Sequence, residues 1–301
     1  VAAGRYEVPF LLELGDVWPS TLVDMGELST WHPGYWALRL LEVRLYRKAE
    51  RILGKLPLLK HHIQRSHADP RKTFYLPNGV DLQPYLRHDY PAAPPPDGDF
   101  TVLYAGGMTP VYGLEHVIDA AQILGRDHAE LRIRFRLIGD GNLRSHLVAR
   151  AQDLGVVNLD FWDRVPHADL PQVLADADVF IDLQRDLRVV REFGMSHNKT
   201  YEYLGAARPI IFSMTSANNP VAEAGAGITT EPENAQAIAQ AVVELHSLSR
   251  EERIEMGRRG QAFAAAGYTI DAISDRFARI VEEALDGLPP GTRVNQDDLL
   301  A

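Results

Sequence analysis

A lysine and a glutamate three residues apart, Lys199 and Glu202, open a short helical pattern before an apolar strand. Side chains at this spacing project from one face of the first helical turn. Ser196 or Asn198 is placed to cap that helix. A helix N-terminus favours anions, so a cation there makes sense if it holds an anionic ligand, and the carboxylate one turn further can bind a diol such as a ribose. The alternative is a surface Lys–Glu pair worth about 0.2–0.5 kcal/mol.

Two glycine-rich turns follow predicted strands. Gly106 and Gly107 come after "TVLYA", and Gly139 and Gly141 come after "FRLI". Ligands of doubly wound sheets bind beyond the carboxyl ends of the strands, and glycine lets backbone N–H groups approach them, so these turns indicate a phosphate-bearing ligand. Purely steric use of glycine is the alternative. A Walker motif and a G-x-G-x-x-G motif are both missing, since Arg144 stands where the third glycine of the latter would be.

The elements that must position these residues alternate regularly between residues 100 and 245. Strands such as "FTVLYAG", "RIRFRLIGDG" and "DVFIDL" are separated by helical stretches. This alternation is typical of a parallel sheet covered by helices on both faces. We therefore predict a doubly wound α/β domain over 97–268, preceded by a linker that holds the prolines from Pro91 to Pro96.

The part before the linker is too short for the same architecture. It offers about three strands, where a Rossmann-like domain has about six. We therefore predict that residues 1–93 form a partial N-terminal Rossmann-like domain. The first residue is Val1 rather than methionine, and we expect about half of this domain to precede it.

Composition excludes several classes of protein. The 301 residues are 46% hydrophobic, which is ample for packed cores, and they include no cysteine, so disulfides, thiolate metal sites and cysteine nucleophiles are excluded. No apolar run approaches the roughly 18 residues of a membrane-spanning helix. The net charge of −10 argues against nucleic acid as a partner. A cytoplasmic protein is expected.

One segment departs from this acidic character. Residues 35–72 carry ten Lys or Arg and three acidic residues, and a helix is predicted over 33–51. Five cations with helical spacing would form one stripe, namely Arg44, Arg47, Lys48, Arg51 and Lys55. Because Trp36, Leu40 and Val43 lie beside it, the stripe is expected to face an anionic membrane surface. The alternative is a solvated helix face.

Five segments of the chain form a recognisable series. They are "FYLPNGVD", "LYAGGMTPVYGLEHVIDAA", "RLIGDGNLRSHLVARAQDLGVVNLDFWDRVPHADLPQVLADADVFI", "SHNKTYEYLGAARPIIF" and "NPVAEAGAGI". In order and spacing they resemble the GT4 family of GT-B glycosyltransferases. The resemblance is greatest to the bacterial branch that builds polysaccharide repeat units on lipid carriers, including the N-acetyl-L-fucosamine transferase type. It covers nearly the whole chain and is strongest from 72 to 270.

This resemblance implies two Rossmann-like domains facing across a cleft, the N-terminal one incomplete, with a C-terminal helix near 270–287 returning to the N-terminal domain. It implies that Glu202 holds the donor ribose and that Lys199 and the loop before it face the diphosphate and sugar. The glycine-rich turn after "TVLYA" would lie near the diphosphate, and the backbone over 164–166 would contact the base. The donor-binding candidates are Gly106, Gly107, Gly139, Arg164, Val165, Ser196, Asn198, Lys199 and Glu202.

The chain departs from the family pattern at a second glutamate. Many members carry one eight residues before the ribose-binding glutamate, where this chain has Gly194. Glu192 is nearby but out of register, so the usual carboxylate that binds the sugar is in doubt. The glycine-rich loop that opens the family's N-terminal domain is also missing from this sequence.

A further departure affects the diphosphate. The turn that often carries Arg and Lys in the family has Gly107 and Tyr112 here. The charge of the diphosphate must then rest on Lys199, helped by Arg188 or Arg191 in the preceding loop.

The expected function is therefore that of a retaining glycosyltransferase that moves a sugar from a nucleotide-diphosphate sugar, UDP-linked, to a polyprenyl-pyrophosphate-linked or other glycan acceptor. The resemblance implies that no metal or cofactor is needed. Asp16 and Trp18 are the candidates on the acceptor side, with capping of a turn as the alternative for Asp16. A nucleotide-sugar epimerase and a non-catalytic nucleotide-sugar-binding protein are alternatives. The expected location is the cytoplasm, peripheral on the inner face of the plasma membrane.

Overall fold

A computed structural model describes residues 2–87, 90–94 and 98–296. The N-terminal strands are β1 (Leu11–Leu14), β2 (Arg51–Gly54) and β3 (Thr73–Tyr75). The helices around them are α1 (Ala2–Tyr6), α2 (Ser20–Asp24), α3 (Pro33–Lys48) and α4 (Leu59–Arg65). The three strands pair in parallel in the order β1–β2–β3. The described residues thus contain three strands, which is the number that the sequence predicts for this part, and the incompleteness of this domain stays a prediction.

A second, larger sheet follows the linker. Its strands are β4 (Phe100–Ala105), β5 (Ile133–Ile138), β6 (Leu159–Trp162), β7 (Val179–Leu183), β8 (Ile210–Ser213) and β9 (Gly227–Thr230). Its helices are α5 (Glu115–Asp127), α6 (Arg144–Asp153), α7 (Leu170–Ala175), α8 (Arg188–Phe193), α9 (Asn198–Gly205), α10 (Pro220–Ala224), α11 (Ala235–Ser247) and α12 (Arg250–Gly267). The chain ends with α13 (Ile270–Leu285) and an irregular segment.

The six strands of this sheet are all parallel and run in the order β6–β5–β4–β7–β8–β9. β7 and β8 are buried along their whole length, as expected for strands with helices on both faces. The order reverses between β4 and β7, which is the topology of the Rossmann fold. The sheet therefore has a switch point beyond the carboxyl ends of these two strands, where such folds bind ligands.

The prediction that Arg51 belongs to a membrane-facing helical stripe is wrong. α3 ends at Lys48, and the backbone is extended from Ala49 onward. Arg51 is the first residue of β2, between β1 and β3, and is only 3% exposed. Its guanidinium lies 3.3 Å from the carboxylate of Glu283 and donates to the carbonyl of Leu288 at 2.7 Å. Strand pairing thus removes this cation from the surface.

The other cations of the predicted stripe have different surroundings. Arg44, Arg47 and Lys48 are exposed on α3, whereas Lys55 lies in the turn after β2, 3.5 Å from Glu13. No helix within residues 2–87, 90–94 and 98–296 combines the length and the apolar character that a bilayer crossing requires.

The last helix packs on the N-terminal sheet rather than on the sheet that precedes it. A β-bridge joins Val80 to Thr269, directly before α13. Ile280 of α13 is fully buried in a cluster with Leu53 and Phe74, from β2 and β3. The chain therefore passes from the N-terminal to the C-terminal domain after β3 and returns after α12.

The two domains also touch through the segment that precedes α9. The amide of Leu58 donates to the carbonyl of Phe193 at 3.1 Å. The side-chain amide of Asn78 donates to the carbonyl of Ser196 at 2.7 Å. A carboxylate oxygen of Asp24 accepts from the amide of Val189 at 2.7 Å. The segment over 189–196 is thus fixed against the N-terminal domain at one end of the cleft.

Candidate functional site

A cavity of about 550 Å³ lies beyond the carboxyl ends of β4, β5 and β6. The residues lining it include Gly106, Gly107, Gly139, Arg164, Val165 and His167. The first five are donor-binding candidates from the sequence. Three separate loops, which follow three different strands, thus meet around one space.

The glycines of the loop after β5 are required by their packing. A Cβ atom at Gly139 would lie 1.9 Å from the carbonyl oxygen of Gly106, and its φ of +141° is one that side-chain-bearing residues rarely adopt. A Cβ atom at Gly141 would lie 2.3 Å from the carbonyl oxygen of Met108. Close packing therefore explains why these residues are glycines. The same packing leaves backbone atoms, without side chains, at the wall of the cavity.

Lys199 lies at the start of α9, and its side chain is 10% exposed. Its ammonium is 3.5 Å from a carboxylate oxygen of Asp182 and 3.5 Å from the centre of the Tyr112 ring. The ring of Tyr104 is 5.2 Å away. Burial lowers the pKa of the ammonium, and Asp182 partly offsets that effect. The cation is therefore held between a carboxylate and two aromatic rings.

Asp182 is a fully buried carboxylate near the end of β7. One of its oxygens lies 2.9 Å from Nδ1 of His197, and the other accepts from the hydroxyl of Thr200. Burial raises the pKa of Asp182, but His197, Lys199 and these hydrogen bonds outweigh burial and lower it to about 2. Asp182 is consequently ionised at neutral pH, and it fixes three side chains at the mouth of α9.

Glu202 has partners of its own. Its carboxylate accepts from the hydroxyl of Tyr85 at 2.5 Å and lies 3.2 Å from Nε2 of His167. Lys199 and Glu202 therefore do not form the surface ion pair that their spacing would allow. The carboxylate is 13% exposed, and His167 beside it lines the cavity. Glu202 and Lys199 are not in the lining of the cavity, and Glu202 is connected to it through its contact with His167.

The loop before α9 differs from its prediction in one detail. The N-cap position is taken by His197, without a side-chain capping bond, rather than by Ser196 or Asn198. The hydroxyl of Ser196 instead accepts from the backbone amide of Asn78 at 3.2 Å. Asn198 is the first residue of α9 and is exposed.

The two arginines expected to help with the diphosphate are engaged elsewhere. Arg188 lies 3.5 Å from Asp24 and 3.8 Å from Glu192. Arg191 forms an ion pair of 2.8 Å with Asp186. Glu192 also pairs with Arg65 of the N-terminal domain. Arg188 and Glu192 thus contribute to the contact between the domains, and Lys199 remains the cation nearest to Asp182.

Asp16 caps its own turn. One carboxylate oxygen accepts from the amide of Val17 at 3.0 Å and from the hydroxyl of Thr21 at 2.8 Å. Burial raises the pKa of the Tyr112 phenol, and the carboxylates of Asp182 and Asp16 raise it further. Trp18 is 54% exposed.

Several residues of the site were not found from the sequence. They are Tyr85, His167 and Asp182, together with the aromatic contact of Tyr112 to Lys199. Asp182 had a usable signal, because it is a carboxylate inside the otherwise apolar run "VFIDL". Within residues 2–87, 90–94 and 98–296, no group of three or more His, Cys, Asp or Glu is placed to hold a metal ion.

Comparison with known proteins gives a family match over part of the chain and a fold. Residues 99–247 match the family described as Glycosyl transferases group 1. The chain is 26% identical over 256 residues to "Probable glycosyltransferase WbjE" of Pseudomonas aeruginosa, an alignment that covers 81% of this chain and 62% of the relative. The chain therefore spans less than two thirds of the length of that curated relative.

Solved structures share the architecture of this chain. Anabaena Alr3699/HepE, crystallised with UDP and glucose, superposes with a TM-score of 0.70 at 17% identity, over 93% of this chain and 73% of that chain. WaaG, a glycosyltransferase involved in lipopolysaccharide biosynthesis, gives a TM-score of 0.71 at 14% identity, over 91% and 75%. The predicted α/β fold of the GT-B type is thereby confirmed. The chain has the two-domain fold of these proteins, and its segment over 99–247 matches the group 1 glycosyl transferases.

Proposed function

We propose that the protein is a retaining glycosyltransferase that moves a sugar from a UDP-linked donor to a lipid-linked glycan acceptor. The observation that carries this proposal is the placement of a cation and a carboxylate, Lys199 and Glu202, on the first turns of α9, where Glu202 contacts His167 in the lining of a cavity of about 550 Å³. Two comparisons support it, because WbjE is named a probable glycosyltransferase and HepE was crystallised with UDP and glucose.

Each part of the donor has a partner in this proposal. The base lies against the backbone at Arg164 and Val165, and the ribose hydroxyls donate to Glu202. The diphosphate lies between Lys199 and the turn at Gly106 and Gly107. The ribose therefore occupies the space near His167 and Tyr85, and the sugar points toward the N-terminal domain.

Catalysis in this proposal is mainly stabilisation of the leaving group. As the bond between the sugar and the diphosphate breaks, negative charge grows on the diphosphate, and a fixed cation in a water-poor site stabilises that charge. The acceptor enters from the side of Asp16 and Trp18, and closure of the cleft excludes water. The proposal includes no metal and no cofactor.

The activity is tested with a panel of UDP- and GDP-sugars, each incubated with and without a polyprenyl-pyrophosphate-linked glycan. We expect release of UDP and labelling of the lipid-linked glycan only when both substrates are present. UDP release with an altered free sugar and no acceptor would indicate an epimerase. Tight donor binding with no turnover in any combination would indicate a binding protein.

We predict that Glu202→Gln weakens UDP and uridine binding alike, by about tenfold each, because both ligands carry the ribose and a hydrogen bond to a charged acceptor is lost. Calorimetric titration of the two ligands measures this. Glu244→Gln, at an exposed position of α11, is the matched control and should bind both as the wild type does. Unchanged affinity for both ligands in folded Glu202→Gln would overturn the ribose assignment.

We further propose that α3 rests on an anionic membrane surface. Trp36, Leu40, Arg44 and Lys48 recur every four residues and are all exposed, Trp36 by 63% and Leu40 by 72%. Residues at this spacing lie on one helix face. Arg47 is exposed one position before Lys48. Apolar side chains followed by cations on one exposed face are the pattern of helices that lie in a membrane interface.

We predict that replacing Arg44, Arg47 and Lys48 by glutamine reduces sedimentation with phosphatidylserine-containing vesicles. Each cation near such a surface contributes about 1 kcal/mol, so the loss should be large at low salt and shrink as salt screens the charges. The control replaces Arg126, Arg132 and Arg258, three exposed cations of the C-terminal domain, by glutamine. Equal vesicle binding by the two triple variants would contradict the assignment of α3.

A further inference from the structure

The proposed function gives no role to the carboxylate of Asp182. It is fully buried in β7, where its neighbours Ile181 and Leu183 pack in the apolar core. A buried charge is retained only when it is paired and hydrogen-bonded. The structure meets this condition with groups that all come from one place, the first turn of α9 and the residue before it.

Among the partners of Asp182, His197 has a ring nitrogen that can still bind a ligand. Its Nδ1 lies 2.9 Å from the ionised carboxylate of Asp182, so Nδ1 carries the proton and donates a hydrogen bond to that carboxylate. Nε2 is on the far side of the ring from this contact. Among the described residues, no protein group forms a hydrogen bond with Nε2. The imidazole, which is 14% exposed, thus has one fixed nitrogen and one available nitrogen.

The available nitrogen belongs to the same cluster as Lys199. The Tyr112 ring contacts both side chains, with its centre 5.6 Å from the His197 ring and 3.5 Å from the ammonium of Lys199. Asp182 contacts both His197 and Lys199. One buried carboxylate therefore fixes two nitrogen groups at the mouth of one helix.

The net charge of this cluster is too low to neutralise a diphosphate. The groups around His197 are Asp182 from β7, Lys199 from α9 and Tyr112 from the turn after β4, and Asp16 interacts electrostatically with Tyr112. With neutral His197, Lys199 and Asp182 sum to zero. A doubly negative ligand placed there would be stabilised by one more cation, which protonation of the imidazole provides.

We propose that His197, held by Asp182, is a second phosphate-binding group that takes up a proton from solvent when the donor diphosphate binds. Neutral His197 keeps its proton on Nδ1, and the new proton goes to Nε2, which then donates a charge-assisted hydrogen bond to a phosphate oxygen. Asp182 acts through His197 and Lys199 and is a positioning residue. The inference rests on the proposed donor site and extends it.

The test is calorimetric titration of UDP and uridine near neutral pH in two buffers with different heats of ionisation, which gives the protons bound per ligand. We expect the wild type to take up a fraction of one proton with UDP and none with uridine. In His197→Asn we expect the uptake to disappear and UDP affinity to fall about tenfold, with uridine affinity unchanged. Asp182→Asn should also weaken UDP alone. His146→Asn, at an exposed position of α6, should behave as the wild type.

The outcomes separate this inference from the proposed function. Wild-type UDP binding without proton uptake would overturn the role of His197 and leave the donor site standing, and this result needs no variant. Unchanged proton uptake in His197→Asn would also overturn it. An equal loss of UDP and uridine affinity in His197→Asn would show a disturbed site rather than a lost phosphate contact, and His197→Gln repeats the comparison with a longer side chain. Failure of the wild type to bind UDP would refute the donor site and this inference together.

Discussion

Replacing Arg51 by glutamine should lower the free energy of unfolding by about 3–5 kcal/mol, the usual result of removing one member of a buried ion pair. Arg51 and Glu283 have side-chain exposures of 4% and 0%. The carboxylate also accepts from the backbone amides of Gly291 at 3.0 Å and Arg293 at 2.7 Å. Without the guanidinium, a buried negative charge would remain with only these two amides.

Urea unfolding followed by circular dichroism measures this effect. Arg47→Gln is a matched control, because it removes the same charge from an exposed position four residues earlier and should change stability by less than about 0.5 kcal/mol. The double variant Arg51→Met/Glu283→Leu should regain most of the lost stability, since neither charge is then left alone. Equal stabilities of Arg51→Gln and Arg47→Gln would show that the pair does not stabilise the fold.

Lys199→Met should weaken UDP binding about ten- to a hundredfold, because a charge-assisted hydrogen bond is worth about 1.5–3 kcal/mol. Methionine keeps an unbranched side chain against the Tyr112 ring and removes the charge. Asp182 retains His197 and Thr200 as partners, so the variant should fold. Uridine has no phosphate, and its affinity should be unchanged.

Titration of UDP and uridine into Lys199→Met and Lys48→Met makes this comparison. Lys48 is exposed on α3, far along the chain from the cavity, and its variant should bind both ligands normally. Transfer activity should fall with UDP affinity in Lys199→Met, since the same cation is expected to stabilise the leaving group. Wild-type affinity for UDP in Lys199→Met, with the fold intact, would refute the donor-site assignment.

The C-terminal sheet could be predicted because its signals are local. β7 and β8 are buried on both faces, so their sequences are apolar runs, and each is followed by a turn and a helical pattern. The end of α3 could not be predicted in this way. Cations continue at helical spacing through Arg51, and the chain becomes extended there because β2 pairs with β1 and β3. Non-local pairing overrode the local pattern.

In the site, too, local features could be predicted from the sequence and non-local contacts could not. The glycine-rich turns and the position of α9 follow from sequence, whereas the partners of its charged residues do not. Tyr85 is 117 residues from Glu202, and His167 is 35 residues from it, so no local spacing predicts either contact. The sequence likewise could not show that Asp182 rather than Glu202 lies beside Lys199. The assignment of the donor-binding residues stays a prediction until ligands are titrated.

The return of α13 to the N-terminal sheet has a consequence for biosynthesis. The carbonyl that accepts from Arg51 belongs to a residue 237 positions later, so a ribosome must complete the C-terminal domain before the buried cation of β2 has its partners. Domains generally fold as units during synthesis, but the part made first here is finished last. A nonsense mutation after α12 would leave an intact C-terminal sheet attached to an N-terminal sheet with an unpaired guanidinium. We expect the cell's proteases to remove such a truncated product, although every residue of the donor site would have been translated.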